Sequence, residues 1–294
     1  MGSPVAERFI VECRPSHATR DGDGVAIERL ALIGDNATDP LLLLDELRSP
    51  YRADFAGGFP PHPHRGMQTL TYMKEGGIIH EDSMGNRGEI RGGGAQWMSA
   101  GSGVIHSEMP TLDTQGLHGF QLWFNLPAAI KMAPPRYRDV PLNQLTSVSV
   151  ASANATAIAG DWQLEDVRLS GPLNQLAEQA SLLDLAISPN SSLTLHGLAD
   201  QNVAAYLYEG SVYRSTNQPA EGETIGPQHL LLTSRGSSWK LCTSSNGAQL
   251  LVVAGLPIGE PVVGYGPFVM NTRTEIEQAV RDYQRGEFIK HPVG

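Results

Sequence analysis

Short β-rich runs separated by turn residues are the feature that most constrains the fold. Turn signals such as KEGG (74–77), RGGG (91–94) and SSNG (244–247) punctuate the chain. Strands at this spacing predict β-sandwiches or barrels rather than a parallel βαβ sheet. The 32 glycines and 20 prolines among 294 residues agree with a fold built from short strands and turns. The runs are VAIERLALIG (25–34), MQTLTYM (67–73), HGFQLWFNLP (118–127), SLLDLAIS (181–188), AAYLYEGSVY (204–213), HLLLTS (229–234) and AQLLVVAG (248–255).

Two segments predict helices in this otherwise all-β chain. LLLLDELRS (41–49) is interpreted as a short helix. TRTEIEQAVRDYQRG (272–286) predicts a longer one, because Thr272 and Glu275 match a capping box and Gly286 stands where a C-terminal capping glycine belongs. We therefore expect an all-β protein with a short C-terminal helix.

The length of 294 residues predicts about two domains. PPRYRDVPLNQL (134–145) contains three prolines and little apolar periodicity, which is typical of a linker. We expect an N-terminal domain over residues 1–135 and a C-terminal domain over 136–294 that ends in the helix.

Charge and cysteine content exclude several classes of function. A net charge of −10 and a pI near 5.3 disfavour binding to a nucleic-acid backbone. The two cysteines, Cys13 and Cys242, form no CxxC motif, which argues against a disulfide scaffold or zinc ribbon and suits a reducing compartment. The N-terminus shows no signal-peptide pattern, and no run approaches the roughly 18 apolar residues of a membrane span. The prediction is a cytoplasmic protein without a membrane partner.

Two short motifs carry the chemistry. FPPHPHRGMQT (59–69) places two histidines two residues apart, and GSGVIHSEMP (101–110) repeats the spacing with a histidine and a glutamate. Alternate residues of a strand point to one face, so paired strands would make the four side chains converge. Three imidazoles and a carboxylate suit iron, manganese, nickel, copper or zinc and leave one or two positions open. A lone strand histidine is more often a hydrogen-bonded structural residue, but two such pairs in one domain favour a metal. The candidate ligands are His62, His64, His106 and Glu108.

Other side chains near these motifs allow two interpretations. His80 is either a pocket residue or a hydrogen-bonded turn histidine. Trp97 and Met98 precede the second motif and suit either core packing or a pocket wall, while Phe55 and Phe59 suit either the cavity mouth or rim packing. His118 has no partner of ligand type two residues away and is interpreted as structural. His196 and His229 are isolated, so no metal is expected in the C-terminal domain.

The residues around both motifs resemble a known family. GGFPPHPHRG…GSGVIHSEMP (57–110) is similar to the N-terminal signature of pirins, a branch of the cupin superfamily. DPLLLLDEL (39–47) and GEPVVGYGPFVMNTRTEIEQAVRDYQRGEF (259–288) extend the resemblance over most of the chain. It implies a bicupin of two packed antiparallel β-barrels, with metal only in the N-terminal barrel.

The resemblance also implies a ligand set and a metal. It places the ligands on the same four residues, His62, His64, His106 and Glu108, with Fe(II) as the usual ion. Mn, Ni, Cu, Co and Zn remain alternatives.

The resemblance to pirins implies two roles. One is dioxygenase opening of a flavonol such as quercetin by O2, in which the metal lowers the pKa of a substrate hydroxyl and Glu108 acts as the catalytic base. The other is redox-sensitive binding of a regulatory protein partner. A third hypothesis is a metal that only stabilises the fold. Open coordination positions favour the enzyme, because structural zinc sites are normally closed.

One position departs from the family pattern. Many relatives carry a glutamate four residues after the second histidine, where this chain has Gln68. We expect Gln68 to remove a negative charge and a potential base beside the metal while leaving the four ligands intact.

Overall fold

Strands account for most of the chain, as the spacing of β-rich runs predicts. The computed structural model describes residues 6–174, 176, 180–215 and 223–291. Within these ranges a single α-helix, α1 (Arg273–Gln284), follows the last strand. The strands are β1 (Glu7–Arg8), β2 (Ile10–Pro15), β3 (His17–Asp21), β4 (Val25–Ala31), β5 (Leu41–Ser49), β6 (Phe59–His64), β7 (Met67–Glu75), β8 (Gly77–Asp82), β9 (Arg87–Arg91), β10 (Ala95–Ser99), β11 (Val104–Pro110), β12 (Leu117–Asn125), β13 (Arg136–Val140), β14 (Thr146–Val150), β15 (Ala153–Ala159), β16 (Asp161–Leu164), β17 (Val167–Ser170), β18 (Ser181–Ile187), β19 (Ser192–His196), β20 (Asn202–Tyr213), β21 (Thr224–Ile225), β22 (His229–Thr233), β23 (Ser238–Gly255), β24 (Val263–Tyr265) and β25 (Phe268–Met270).

The chain forms two compact units whose boundaries differ from the predicted division at residue 135. The histidine unit comprises His17–Gln144 and Ile258–Gly294, and the companion unit comprises Met1–Ser16 and Leu145–Pro257. The C-terminal helix thus belongs to the same unit as the N-terminal motifs. Each end of the chain joins its unit through long-range hydrogen bonds, which no local linker signal reveals. In the companion unit, for example, β1 pairs with β23 and β2 pairs with β22.

Two sheets enclose the interior of the histidine unit. One has seven strands in the order β13-β10-β7-β12-β5-β4-β3, and the other has four in the order β6-β11-β8-β9. A cluster of buried apolar side chains joins them, with Val25, Ile27 and Met73 on the larger sheet and Ile78 and Ile90 on the smaller one. The candidate ligands lie on the smaller sheet and face the larger one across this interior.

The companion unit has its own core. Its twelve-stranded sheet includes the path β14-β15-β18-β23-β19-β16-β17. Trp162, Trp239 and leucines on β18, β19 and β20 pack in one buried cluster. Within the described ranges, no helix has both the length and the apolar character needed to cross a lipid bilayer.

The segment 41–49 is a strand, so the predicted short helix is wrong. β5 pairs with β12 on one side and with β4 on the other, and eight of its nine residues are buried. Leucines of this run pack on both faces of a central strand, and this burial stabilises the strand by more than the helix propensity of leucine would stabilise a helix. Leu44, for example, lies opposite Leu30 and Leu122.

The C-terminal helix is confirmed, including its caps. Thr272 accepts a hydrogen bond from the Glu275 amide, and the Glu275 carboxylate accepts one from the Thr272 amide, which completes the predicted capping box. Gly286 follows the helix with a φ of 72°, a conformation that favours glycine. The helix buries Ile276 and Ala279 against β25 and Phe288.

A buried ion pair holds this helix to the end of the first motif. Arg65 Nη1 donates to Asp282 Oδ2 at 2.7 Å, and both side chains are nearly inaccessible. Arg65 also donates to the carbonyls of Ser102 and Phe288 and lies over the Phe288 ring. Burial alone would raise the pKa of Asp282, but hydrogen bonds from Arg65, Gln278 and Lys290 lower it to about 2.

A second buried cation, Lys131, ties three segments of the histidine unit together. Its ammonium donates to the Gly66 carbonyl, to Asn125 Oδ1 and to the Val269 carbonyl, at 2.7, 2.6 and 3.0 Å. Burial lowers the pKa of Lys131 to about 8. The three oxygen acceptors still satisfy a protonated amine at neutral pH.

We expect Asp282→Ala to lower the free energy of unfolding by about 3–5 kcal/mol, because it leaves Arg65 charged and buried without a carboxylate. The pKa of Asp282 is lowered on folding, so its stabilisation is present above pH ~4 and is lost as the pH falls towards 2. Urea unfolding at neutral pH measures the loss. Glu277→Ala is the control, since its pair with Arg281 is exposed and should contribute under about 1 kcal/mol. Equal losses in both variants would contradict the assignment.

Candidate metal centre

Strand register brings the two motifs face to face. β6 and β11 are antiparallel, with His62 opposite His106 and His64 opposite Val104. The register shifts between His106 and Glu108, where a β-bulge brings Glu108 opposite Phe59. The two motifs therefore lie on neighbouring, paired strands.

Three of the four candidate ligands form a close group. The ligating atoms of His62, His64 and His106 all lie within 4.8 Å of one another. Their ring centroids are separated by 4.9 Å (His62–His64), 4.4 Å (His62–His106) and 5.0 Å (His64–His106). Three imidazoles this close together could bind one small cation.

The hydrogen bonds of these histidines leave ring nitrogens for a metal. His62 Nδ1 lies 2.8 Å from the Pro60 carbonyl, and His64 bonds the backbone of Pro267, which can only accept. Among the described residues, neither His64 Nδ1 nor His106 Nε2 has a hydrogen-bond partner, although both are buried. A buried nitrogen without a partner is costly unless it binds something, so the residues fit a metal.

Burial also keeps two of the imidazoles neutral. Burial and the nearby His62 lower the pKa of His64 to about 3. Burial, with the neighbouring His64, His62 and His80, lowers the pKa of His106 well below its usual value. A neutral imidazole is the form that binds metal, so both are ready to act as ligands at neutral pH.

Glu108 lies beside the three histidines and is held by the opposite sheet. Thr71 Oγ1 donates to Glu108 Oε1 at 2.8 Å, and Gln121 Nε2 donates to Glu108 Oε2 at 3.1 Å. Among the described residues, the close group of ligating atoms does not include this carboxylate. One donor on each oxygen fixes its orientation and leaves further lone pairs free.

A cavity of about 460 Å³ opens onto these residues. Its apolar walls include Leu43, Trp123, Ile33 and Phe59. His62, His64 and Glu108 also lie on its surface. Trp123 meets the His64 ring edge to face at 5.1 Å. A mostly apolar pocket of this size with a few converging polar groups is typical of a small-molecule site.

One wall of the cavity is an ion-pair cluster. Arg29 donates to both oxygens of Asp45, at 2.8 and 2.6 Å, and to Asp21. Burial raises the pKa of Asp45, whereas hydrogen bonds from Arg29 and Gly22 outweigh burial and lower that of Asp21. The guanidinium is largely occupied by carboxylates, so the wall offers a ligand mainly hydrogen-bond acceptors.

Gln68 does not lie beside the candidate ligands, which corrects the sequence-based expectation. It lies on β7 opposite Phe124 and Ser99, three positions before Thr71. Thr71 faces Glu108, so residues at an odd spacing from it point to the other face of the sheet. A glutamine there changes neither the charge nor the bases of this site.

The structure also resolves the alternatives left open for the flanking aromatics. Phe59 lines the cavity, whereas Phe55 packs in the core between the sheets. Trp97 lies opposite Leu70, on the face away from Thr71, and stacks against Arg136. Met98 packs with Val104 and other apolar side chains, so both residues before the second motif are core.

Sequence reasoning missed Thr71, Gln121, Trp123 and the Arg29 cluster. Gln121 and Trp123 alternate on one strand, a spacing that marks them as neighbours of one face. Nothing in the sequence says that this face meets the motifs. Arg29 and Asp45 are paired only by the register of β4 against β5.

Most of the chain matches known family models and named proteins in sequence. A family model described as Pirin matches residues 29–124, and one described as Pirin C-terminal cupin domain matches 182–289. A Vibrio cholerae protein named "Putative quercetin 2,3-dioxygenase" is 42% identical over 96% of this chain and 98% of its own. A Caulobacter vibrioides protein named "Pirin-like protein" is 37% identical over 96% of this chain and 99% of its own length.

A solved structure is similar over the same length. The crystal structure titled quercetin 2,3-dioxygenase from Acinetobacter baumannii superposes with a TM-score of 0.84 at 29% identity, covering 96% of this chain and 99% of the other. With the two strand-built units and the terminal helix, this likeness confirms the predicted bicupin fold class.

We expect a divalent metal to stabilise the chelator-treated protein, because it would satisfy the buried imidazole nitrogens. At a free Co²⁺ concentration of 100 times Kd, the gain is about 2.7 kcal/mol, or several degrees in Tm. His106→Ala should abolish this thermal shift. His229→Ala, in the companion unit, should preserve it. A shift that survives His106→Ala would argue against this centre.

Proposed function

This chain belongs to the pirin family, and on that basis we propose that it is a metal-dependent dioxygenase that opens the ring of a flavonol such as quercetin with O2. The observation that carries the proposal is the close group of three histidines, two of them buried, of which His62 and His64 line a mostly apolar cavity. The names of the Vibrio cholerae relative and of the Acinetobacter baumannii structure support this substrate class.

We assign the metal to His62, His64, His106 and Glu108, with Fe(II) as the proposed ion. Three imidazoles and one carboxylate suit iron but also manganese, nickel, copper, cobalt and zinc. When bound, the metal supplies Lewis acidity that lowers the pKa of a substrate hydroxyl. Elemental analysis of protein purified without added metal identifies the ion that the cell supplies.

Glu108 is the proposed catalytic residue. It is the carboxylate on the cavity surface next to the histidines, and it accepts the proton that a flavonol hydroxyl releases on binding. Thr71 and Gln121 hold its two oxygens in place. Because these donors come from strands of the opposite sheet, they orient the carboxylate before it accepts the proton.

The cavity walls suit a flat aromatic substrate with several hydroxyls. Trp123 and Leu43 provide apolar surface for the rings and exclude water from the reacting end. Asp21 and Asp45 can accept hydrogen bonds from ring hydroxyls, while Arg29 is occupied by these carboxylates. A neutral polyphenol therefore fits better than a carboxylated or phosphorylated compound.

We expect iron-loaded protein to consume quercetin and O2 together, and Glu108→Gln to lower kcat by about 10²–10⁴-fold through loss of the base. The amide is nearly isosteric and can keep one hydrogen bond to the opposite sheet. His64→Ala should abolish turnover through loss of metal. Oxygen uptake and absorbance of quercetin measure both reactants.

His229→Ala is the matched control and should retain wild-type turnover, because it lies in the companion unit on β22. Full activity in Glu108→Gln and His64→Ala would refute the proposed site. A stably bound metal without turnover of quercetin or related polyphenols would instead favour the redox-sensitive regulatory role.

A further inference from the structure

Two buried side chains extend the candidate centre on the side away from the cavity. We propose that Asp82 and His80 are positioning residues that hold His106 in the tautomer whose Nε2 can bind the metal. The inference rests on the metal-binding part of the proposed function and concerns how the chain prepares one ligand.

The three residues form a continuous hydrogen-bonded line. His106 Nδ1 lies 3.3 Å from His80 Nδ1, and His80 Nε2 lies 3.1 Å from Asp82 Oδ2. The side chains of His80 and Asp82 are 1% and 0% exposed. On β8, Asp82 lies opposite His106 and His80 opposite Glu108, so all four face the interior of the unit.

Asp82 determines which atoms donate and which accept in these hydrogen bonds, because its carboxylate accepts hydrogen bonds from its other neighbours. Oδ1 accepts from the backbone amides of Met84 and Asn86, and Oδ2 accepts from Asn86 Nδ2. A carboxylate surrounded by donors acts as an acceptor, so the hydrogen between Asp82 and His80 belongs to His80 Nε2.

The remaining hydrogens follow in order. A neutral imidazole has one N–H and one acceptor nitrogen, so His80 Nδ1 accepts when its Nε2 donates. His106 Nδ1 must then carry the hydrogen, which leaves the lone pair on His106 Nε2. Among the described residues, that Nε2 is the ring nitrogen of His106 without a hydrogen-bond partner. The opposite order would place a hydrogen on it and block metal binding.

The His80 ring is held in this orientation by packing. Tyr137 stacks on it with centroids 4.7 Å apart and planes 29° apart. The Tyr137 hydroxyl donates to Asp139 and accepts from Gln96, so the tyrosine is itself fixed. His80 can therefore neither rotate away nor exchange its two nitrogens easily.

Imidazole NMR of the metal-free protein tests the inference without substrate or metal. Long-range ¹H–¹⁵N spectra of the nine histidines distinguish the two tautomers, and His80→Phe identifies the His80 signals by their loss. We expect His80 as Nε2–H and His106 as Nδ1–H. A wild-type His106 that carries its hydrogen on Nε2 would overturn the proposal.

Asp82→Asn should reverse the donor and acceptor roles in the hydrogen bonds that join residue 82, His80 and His106. The new side-chain oxygen is held by the Met84 and Asn86 amides, so the new amide nitrogen faces His80 and donates to it. His80 then becomes Nδ1–H and His106 becomes Nε2–H. We expect Co²⁺ affinity in a competition assay to fall by about 10–100-fold.

Asn86→Ala is the matched control, because it removes one donor to Asp82 but keeps the carboxylate. It should leave both tautomers and the Co²⁺ affinity unchanged. Equal weakening in Asn86→Ala and Asp82→Asn with an unaltered His106 tautomer would show a structural role only and would refute the inference.

His80→Phe provides a second variant if Asp82→Asn fails to fold. It keeps the ring that stacks on Tyr137 but removes the acceptor, so His106 should populate both tautomers and bind Co²⁺ more weakly than wild type. Unchanged affinity and a single His106 tautomer in this variant would contradict the proposal. Failure of quercetin turnover in the wild type would leave the tautomer result intact, so the two proposals fail separately.

Discussion

The register of β6 against β11 is the constraint on which the candidate site depends. It places His62 directly opposite His106 and lets His64 and Glu108 reach the same interior. A slip of one residue would turn every second side chain to the other face and disperse the group. A flanking glycine permits this close pairing, because a side chain at Gly58 would collide with the Glu108 carbonyl.

The C-terminal segment packs against three consecutive residues of the first motif. His64 bonds the Pro267 backbone and Arg65 pairs with Asp282. A side chain at Gly66 would collide with the Val269 carbonyl. Lys131 joins Gly66 and Val269 through their carbonyls. The last part of the chain therefore helps to orient the ligand His64, and it belongs to the histidine unit although it is far from the first motif in sequence.

Local rules predicted what is locally encoded. The i, i+2 spacing of the motifs, the alternation of the strands and the capping box of α1 follow from backbone geometry, and the structure contains all three. The same rules failed at Leu41–Ser49, because a leucine-rich run has high helix propensity until two neighbouring strands pair with it. The expectation for Gln68 came from the family pattern instead, and strand alternation on β7 turns that residue away from the candidate ligands.

By itself the sequence determined the family, the all-β class and the pairs of residues that share a strand face, since strand periodicity and long motifs need no tertiary information. Only the tertiary structure decided which faces meet. Thr71 and Gln121 hold Glu108, Arg29 pairs with Asp45, and His80 contacts His106, each across strands whose relative placement no local sequence pattern specifies. The direction of the hydrogen bonds within such a cluster depends on all of its neighbours. The proposed tautomer of His106 therefore depends on the tertiary structure and cannot be deduced from the motif that contains the residue.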